Sequence, residues 1–158
     1  MIIRARSQRS WSPSTSINDA GSVTGTLTDQ AGVAHAYLRT RDGKYTQIDV
    51  EGAGPLCCTL GLNINEEDAV AGEYVDNANL FHGYVRFSDG TVERFSVPGA
   101  GGTGFQQGTL TAGTDGLNRN GDIAGGYFDD ANVLHGLLRF RDGAIAFFDV
   151  DGAGTNSG

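Results

Sequence analysis

Residues 116–143 read GLNRNGDIAGGYFDDANVLHGLLRFRDG, and the same frame recurs twice upstream, as NINEEDAVAGEYVDNANLFHGYVRFSDG at 63–90 and SINDAGSVTGTLTDQAGVAHAYLRTRDG at 16–43. Aligned without a gap, the three stretches share an Asn (Asn18, Asn65, Asn118), a Gly (Gly25, Gly72, Gly125), an Asp (Asp29, Asp76, Asp129), a His (His35, His82, His135), an Arg (Arg39, Arg86, Arg139) and an Asp-Gly pair (Asp42-Gly43, Asp89-Gly90, Asp142-Gly143). The chain's 3 histidines all fall on one position, so chance is a poor explanation. A period of about 50 residues is that of a repeated supersecondary unit. The frame makes residues 1–158 one repeat domain, with units at about 9–54, 55–101 and 102–154.

Each unit reads as strands. Val33–Thr40, Leu80–Phe87 and Val133–Phe140 are short aliphatic and aromatic runs without a helical period. Each ends at Asp-Gly, which predicts a two-residue type I′ hairpin. Strands follow at Tyr45–Val50, Val92–Val97 and Ala144–Val150, and others precede at Val23–Thr28, Val70–Val75 and Ile123–Phe128. A fourth lies before each Asn, near Trp11–Ser16, Cys58–Leu62 and Thr109–Ala112. The expectation is all-β: three four-stranded antiparallel meanders, blades of a β-propeller type. A β-trefoil monomer, also three times four strands, is the alternative.

The pattern G-L-N-x-N-G-D-I-A-G-x-Y-x-D at 116–129, then L-H-G-x-L-R-x-x-D-G at 134–143 and F-D-V-x-G-A at 148–153, resembles the bacterial extracellular units called HAF repeats. The likeness covers about residues 17–154. It implies tandem propeller-like blades and an extracellular location, and it implies no activity. This chain departs from it in having three units and in Ala36, where the other two units carry Gly83 and Gly136.

Composition narrows the function classes. Of 158 residues 25 are Gly, roughly twice the usual share. A net charge of −8 argues against nucleic acid, whose phosphates need a basic face. No apolar run approaches the roughly 20 residues that span a bilayer, and Met1–Arg6 is followed by no apolar segment of signal-peptide type. Cys57 and Cys58 are adjacent. Neighbouring cysteines rarely bridge each other because the small ring strains the intervening peptide, so the expectation is buried or idle thiols, with an intermolecular bridge or a reactive pair as the alternative.

Chemistry is sought first in the Asp…His pairs, Asp29/His35, Asp76/His82 and Asp129/His135, which flank one turn. Catalysis uses one site, whereas scaffolding uses every repeat, so these six are read as structural positions and no catalytic residue is assigned. Neither metal nor cofactor is assigned: the Asp/Asn turns do not match a calcium loop, and a three-histidine zinc site would need three strands to converge. Arg39, Arg86 and Arg139 are expected to reach acids such as Asp49 or Glu93. The feature that breaks the repeat is the longer connection from Gly101 to Asp115, carrying Phe105-Gln106-Gln107. In a meander it shares a rim with the Asp76 and Asp129 turns. Phe105, Gln106, Gln107, Asp76 and Asp129 are therefore the candidate ligand site, an aromatic face flanked by amides and carboxylates that suits a glycan. The functional expectation is a non-enzymatic binding module, with a lyase or hydrolase using one His–Asp pair and a purely structural assembly unit as alternatives. Three blades in a row leave an apolar face bare at each end, which implies self-association as a homodimer or larger ring.

Overall fold

The computed structural model describes residues 12–54, 58–102, 108–111 and 116–152. They form twelve strands and no helix: β1 (Ser14–Ile17), β2 (Val23–Thr28), β3 (Ala34–Arg39), β4 (Tyr45–Ile48), β5 (Thr59–Ile64), β6 (Val70–Val75), β7 (Phe81–Arg86), β8 (Val92–Phe95), β9 (Gly108–Thr111), β10 (Ile123–Phe128), β11 (Leu134–Arg139) and β12 (Ile145–Phe148). The protein is all-β, and its strands pair antiparallel except at one point. There are two open sheets, β1-β2-β3-β4 and an eight-stranded sheet in which β8 is attached to β7. The eight-stranded sheet arises because β9 meets β7 in a single parallel pairing, Phe81 with Gly108. A Cβ at Gly108 would lie 2.2 Å from the Phe81 carbonyl oxygen, so only glycine admits this approach.

Register is set by turns of one kind. In the β3–β4 turn the Gly43 N–H donates to Thr40 O and the Thr40 N–H to Lys44 O, both at 2.9 Å, and Gly43 has φ +92°. Phe87–Thr91 and Phe140–Ala144 repeat this, with Gly90 at +92° and Gly143 at +88°. Asp42, Asp89 and Asp142 have no positive φ, so the loops hold three residues and end in a left-handed glycine bulge instead of forming the expected two-residue type I′ turn. The Asp is selected for its side chain: Asp89 Oδ1 accepts the Thr91 N–H at 2.8 Å, and Asp142 Oδ1 the Ala144 N–H at 2.9 Å. The β2–β3, β6–β7 and β10–β11 turns have the same form, closed by Gly32, Asn79 and Asn132 at positive φ.

The recurrent Gly25, Gly72 and Gly125 mark where the first strand of each meander presses against the second. A Cβ there would sit 2.1 Å from Pro13 O, 1.8 Å from Leu60 O and 2.3 Å from Leu110 O respectively. In the first two cases the adjoining strand is bulged, between Ser14 and Ser16 and between Gly61 and Asn63. The departure at Ala36 has a packing cause. Its cross-strand partner is Ile48, whereas Gly83 and Gly136 oppose Phe95 and Phe148, whose rings would lie 2.3 and 2.7 Å from a Cβ.

Two buried clusters hold the meanders face to face. One joins Ala36, Leu38, Ile48 and Val50 to Ile64, Val70, Tyr74 and Tyr84; the other joins Val85, Phe95 and Val97 to Leu117, Ile123 and Leu137. At the edges of both interfaces runs an Asn ladder. Asn18 Oδ1 accepts the Ser22 N–H at 2.9 Å, capping its own turn, while Asn18 Nδ2 donates to Asn65 O at 2.9 Å. Asn65 likewise caps Ala69 and donates to Asn118 O at 3.1 Å. One amide thus closes a turn and ties it to the next, which only Asn at this position does. Cys58 is buried and disulfide-bonded, so the ring-strain expectation of idle thiols does not hold for it. Cys57 lies outside the described residues.

Candidate functional site

The three histidines each sit in a relay between two turns. Asp29 Oδ1 accepts the N–H groups of Ala31 and Val33 at 2.8 and 2.9 Å, and Asp29 Oδ2 lies 3.5 Å from His35 Nε2. His35 Nδ1 is 2.5 Å from Asp49 Oδ1. The third meander has the same geometry: Asp129 Oδ2 lies 3.4 Å from His135 Nε2, and His135 Nδ1 is 2.8 Å from Asp149 Oδ1. In the second, Asp76 Oδ2 is 3.0 Å from His82 Nε2, and Ser96 Oγ is 2.7 Å from Nδ1. Tyr74 and Tyr127 stack on the rings of His82 and His135 at 4.9 Å.

The Asp49 carboxylate raises His35 above the ordinary histidine value against partial desolvation, and Asp149 does the same for His135. The Val33 and Val133 N–H groups hold Asp29 and Asp129 below the usual carboxylate range. Burial works against ionisation of Asp76, but the Leu80 N–H and His82 outweigh it, and the carboxyl is lowered as well. An imidazolium donating from both nitrogens has no lone pair to abstract a proton or bind a metal. Among the described residues no group of three or more His, Cys, Asp or Glu could hold a metal ion. The arrangement pins the β2–β3 turn to the end of β4, and its two counterparts likewise.

The second partners, Asp49, Ser96 and Asp149, are not visible in the Asp…His pairs across each turn, although each stands 14 residues beyond its His. Asp49, assigned to an arginine by the sequence reading, serves His35 instead. Arg139 does reach Glu93, at 2.5 Å, and lies over the Phe95 ring.

Of the expected rim, Asp76 and Asp129 lie among the described residues. Phe105, Gln106 and Gln107 lie outside the described residues. The connection that carries them leaves beside the β10–β11 turn, where the Gly101 N–H donates to Phe128 O at 2.6 Å and the Gly102 N–H to Asp130 Oδ1 at 3.3 Å. Both oxygens of Asp76 are engaged, Oδ1 by the Ala78 and Leu80 N–H groups and Oδ2 by His82. Asp129 is held in the same way by Val133 and His135. These carboxylates serve the turns, and among the described residues of that rim Asn77, Asn79, Asp130 and Asn132 are exposed polar groups.

A second feature was not anticipated: a groove of about 610 Å³ on the β9–β12 face, lined by Leu110, Leu134, His135, Phe148, Asp149 and Val150, with Glu73 at its inner end. Glu73 is buried, and desolvation pushes its carboxyl up to about 7, although the Thr111 N–H bonds Oε1 at 2.7 Å and opposes the shift. The signal was present in the sequence. Within β6, V-A-G-E-Y-V, Glu73 is the only charge in a wholly buried strand, and its aligned residues are Thr26 and Gly126.

No family model, no curated protein and no solved structure matches this chain.

Proposed function

We propose that the chain is a non-enzymatic, extracellular binding module made of three propeller-type blades that offers its turn rim to a glycan. The observation that carries the non-enzymatic reading is the threefold histidine relay. Each ring is engaged at both nitrogens in every meander, which suits scaffolding and occupies the atoms through which a histidine would transfer a proton. Open sheets packed face to face favour blades over a trefoil barrel. Glu73, which stands where the other two meanders carry Thr26 and Gly126, has a structural role. It accepts the Thr111 N–H as Thr26 Oγ1 accepts the Gly61 N–H in the preceding meander.

The rim's Asn77, Asn79, Asp130 and Asn132 pair donors with acceptors in the way sugar hydroxyls require. A glycan array probed with the labelled chain, and again with a variant lacking residues 102–107, tests this. Binding that is lost with the segment supports the rim. Binding that survives moves the site elsewhere, and an array without any bound glycan leaves the chain as a structural assembly unit.

A further inference from the structure

We propose that the groove on the β9–β12 face seats the first strand of a second copy of this chain, head to tail, by the same junction that joins the meanders within one copy. This goes beyond the glycan reading and does not depend on it.

The internal junctions define what the groove accepts. At the first, β5 lies on the β1–β4 face: the Val50 N–H donates to Thr59 Oγ1 at 3.3 Å, and the Gly61 N–H to Thr26 Oγ1 at 3.3 Å. At the second, β9 lies on the β5–β8 face: the Val97 N–H donates to Thr109 Oγ1 at 2.8 Å, and the Thr111 N–H to Glu73 Oε1 at 2.7 Å. Both faces bury an apolar pair at and just beyond the end of the last strand, Ile48 and Val50 or Phe95 and Val97, each under 10% exposed. The aligned residues of the third face are Phe148 and Val150, and they stand 54% and 69% exposed with Leu134 at 57% beside them. These three line the groove.

The complementary element is also uncovered. The pairings Ser14–Gly25, Gly61–Gly72 and Thr111–Gly125 place Ser12, Thr59 and Thr109 at one position, so a hydroxyl recurs where the Val50 and Val97 N–H groups are received. Ile17 aligns with Ile64 and Leu117, which are each 7% exposed, yet Ile17 is 68% exposed. The Asn ladder ends in register with this. Asn118 Nδ2 turns back onto Asp122 Oδ2 of its own turn, where its two predecessors reach the following meander. In a second copy its acceptor is Asn18 O.

The intermolecular junction differs from the internal ones in a definite way. Gly126, Ala146 and Asn120 stand where the second meander has Glu73, Glu93 and Glu67. The extra acceptor and the two ion pairs to Arg139 and Arg141 are therefore missing, and the contact rests on apolar burial and the strand hydroxyl. Two copies using this contact twice, about a twofold axis, bring six meanders into one ring. Because each copy carries −8, added salt screens their repulsion and favours association.

Sedimentation equilibrium of the full chain tests this. The expected mass is at least twice 16.5 kDa, and it increases with protein concentration and with salt. Ile17→Asp and Val150→Asp each alter a side chain that is exposed in the single copy, so the circular dichroism of the fold should stay unchanged while each variant falls to monomer mass. Mixing the two variants restores one good junction, because each supplies the side the other lacks, and the mixture should regain dimer mass. A monomeric wild-type chain would overturn the proposal. So would an oligomer indifferent to both substitutions, or a mixture that stays monomeric, since a face-to-face dimer of like surfaces gives no such rescue.

Discussion

Glu73→Gln should make the protein more stable at neutral and alkaline pH. The carboxyl is buried and pushed from 4.5 up to about 7, chiefly by desolvation. The folded state therefore holds a proton that the unfolded state releases. For an acid raised on folding, stability is greatest below the unfolded value and falls as pH rises towards the folded one. A shift of this size corresponds to about 3 kcal/mol in all, of which about 2 kcal/mol is lost between pH 5.5 and 8. Gln keeps the oxygen that receives the Thr111 N–H and carries no charge to desolvate. The other titratable groups lining the groove, His135 and Asp149, are present in both proteins, so they largely cancel in the difference. Urea denaturation at pH 5.5 and 8, followed by circular dichroism, reads the effect. The variant's advantage should grow by about 2 kcal/mol between the two conditions, or roughly 4–8 °C in Tm for a chain of this length. A difference independent of pH, or a variant less stable than wild type at pH 8, would mean that the carboxylate is held as an anion and would refute the reasoning.

Three other substitutions probe the scaffold. Gly72→Ala drives a methyl into the Leu60 carbonyl and should cost about 3 kcal/mol or abolish folding; a fully stable variant by thermal melting would show that the bulge is misplaced. Asn65→Asp keeps the oxygen that caps the Ala69 N–H but loses the donor to Asn118 O, a loss of about 1–2 kcal/mol in urea titration, and an unchanged midpoint would remove the ladder from the account. His82→Ala severs the links to Asp76 and Ser96 and should lower stability by about 1–3 kcal/mol, with melting curves as the check; no loss would leave the relay without a structural role.

The strand order was legible because the three aligned stretches repeat both turn residues and apolar runs, and twelve strands fall where those runs lie. Turn type was not, since Asp-Gly suits a two-residue loop and a three-residue bulged loop equally, and the choice depends on whether Asp42 itself must take positive φ. Long-range pairing was equally hidden: nothing in G-T-L-T announces that Gly108 will meet Phe81 and merge two meanders into one sheet. At the candidate site, the Asp29–His35 side of each relay lies within one turn and could be read locally. The Asp49 side crosses a strand and needed the β3–β4 register. Glu73 does not stand out in what the repeats share, because its meaning lies in how β6 differs from β2 and β10.

The central claim is that His35 and His135 are structural cations engaged at both ring nitrogens by carboxylates. Nitrogen NMR of the imidazoles of His35 and His135 as a function of pH tests it most directly. Carboxylates on both sides raise each ring above the ordinary 6.5, so both nitrogens should remain protonated above that pH, and the stability this adds should be lost as pH rises through the raised value. A neutral ring with a bare Nε2 at pH 6 would contradict the account and return these residues to the list of possible catalytic bases.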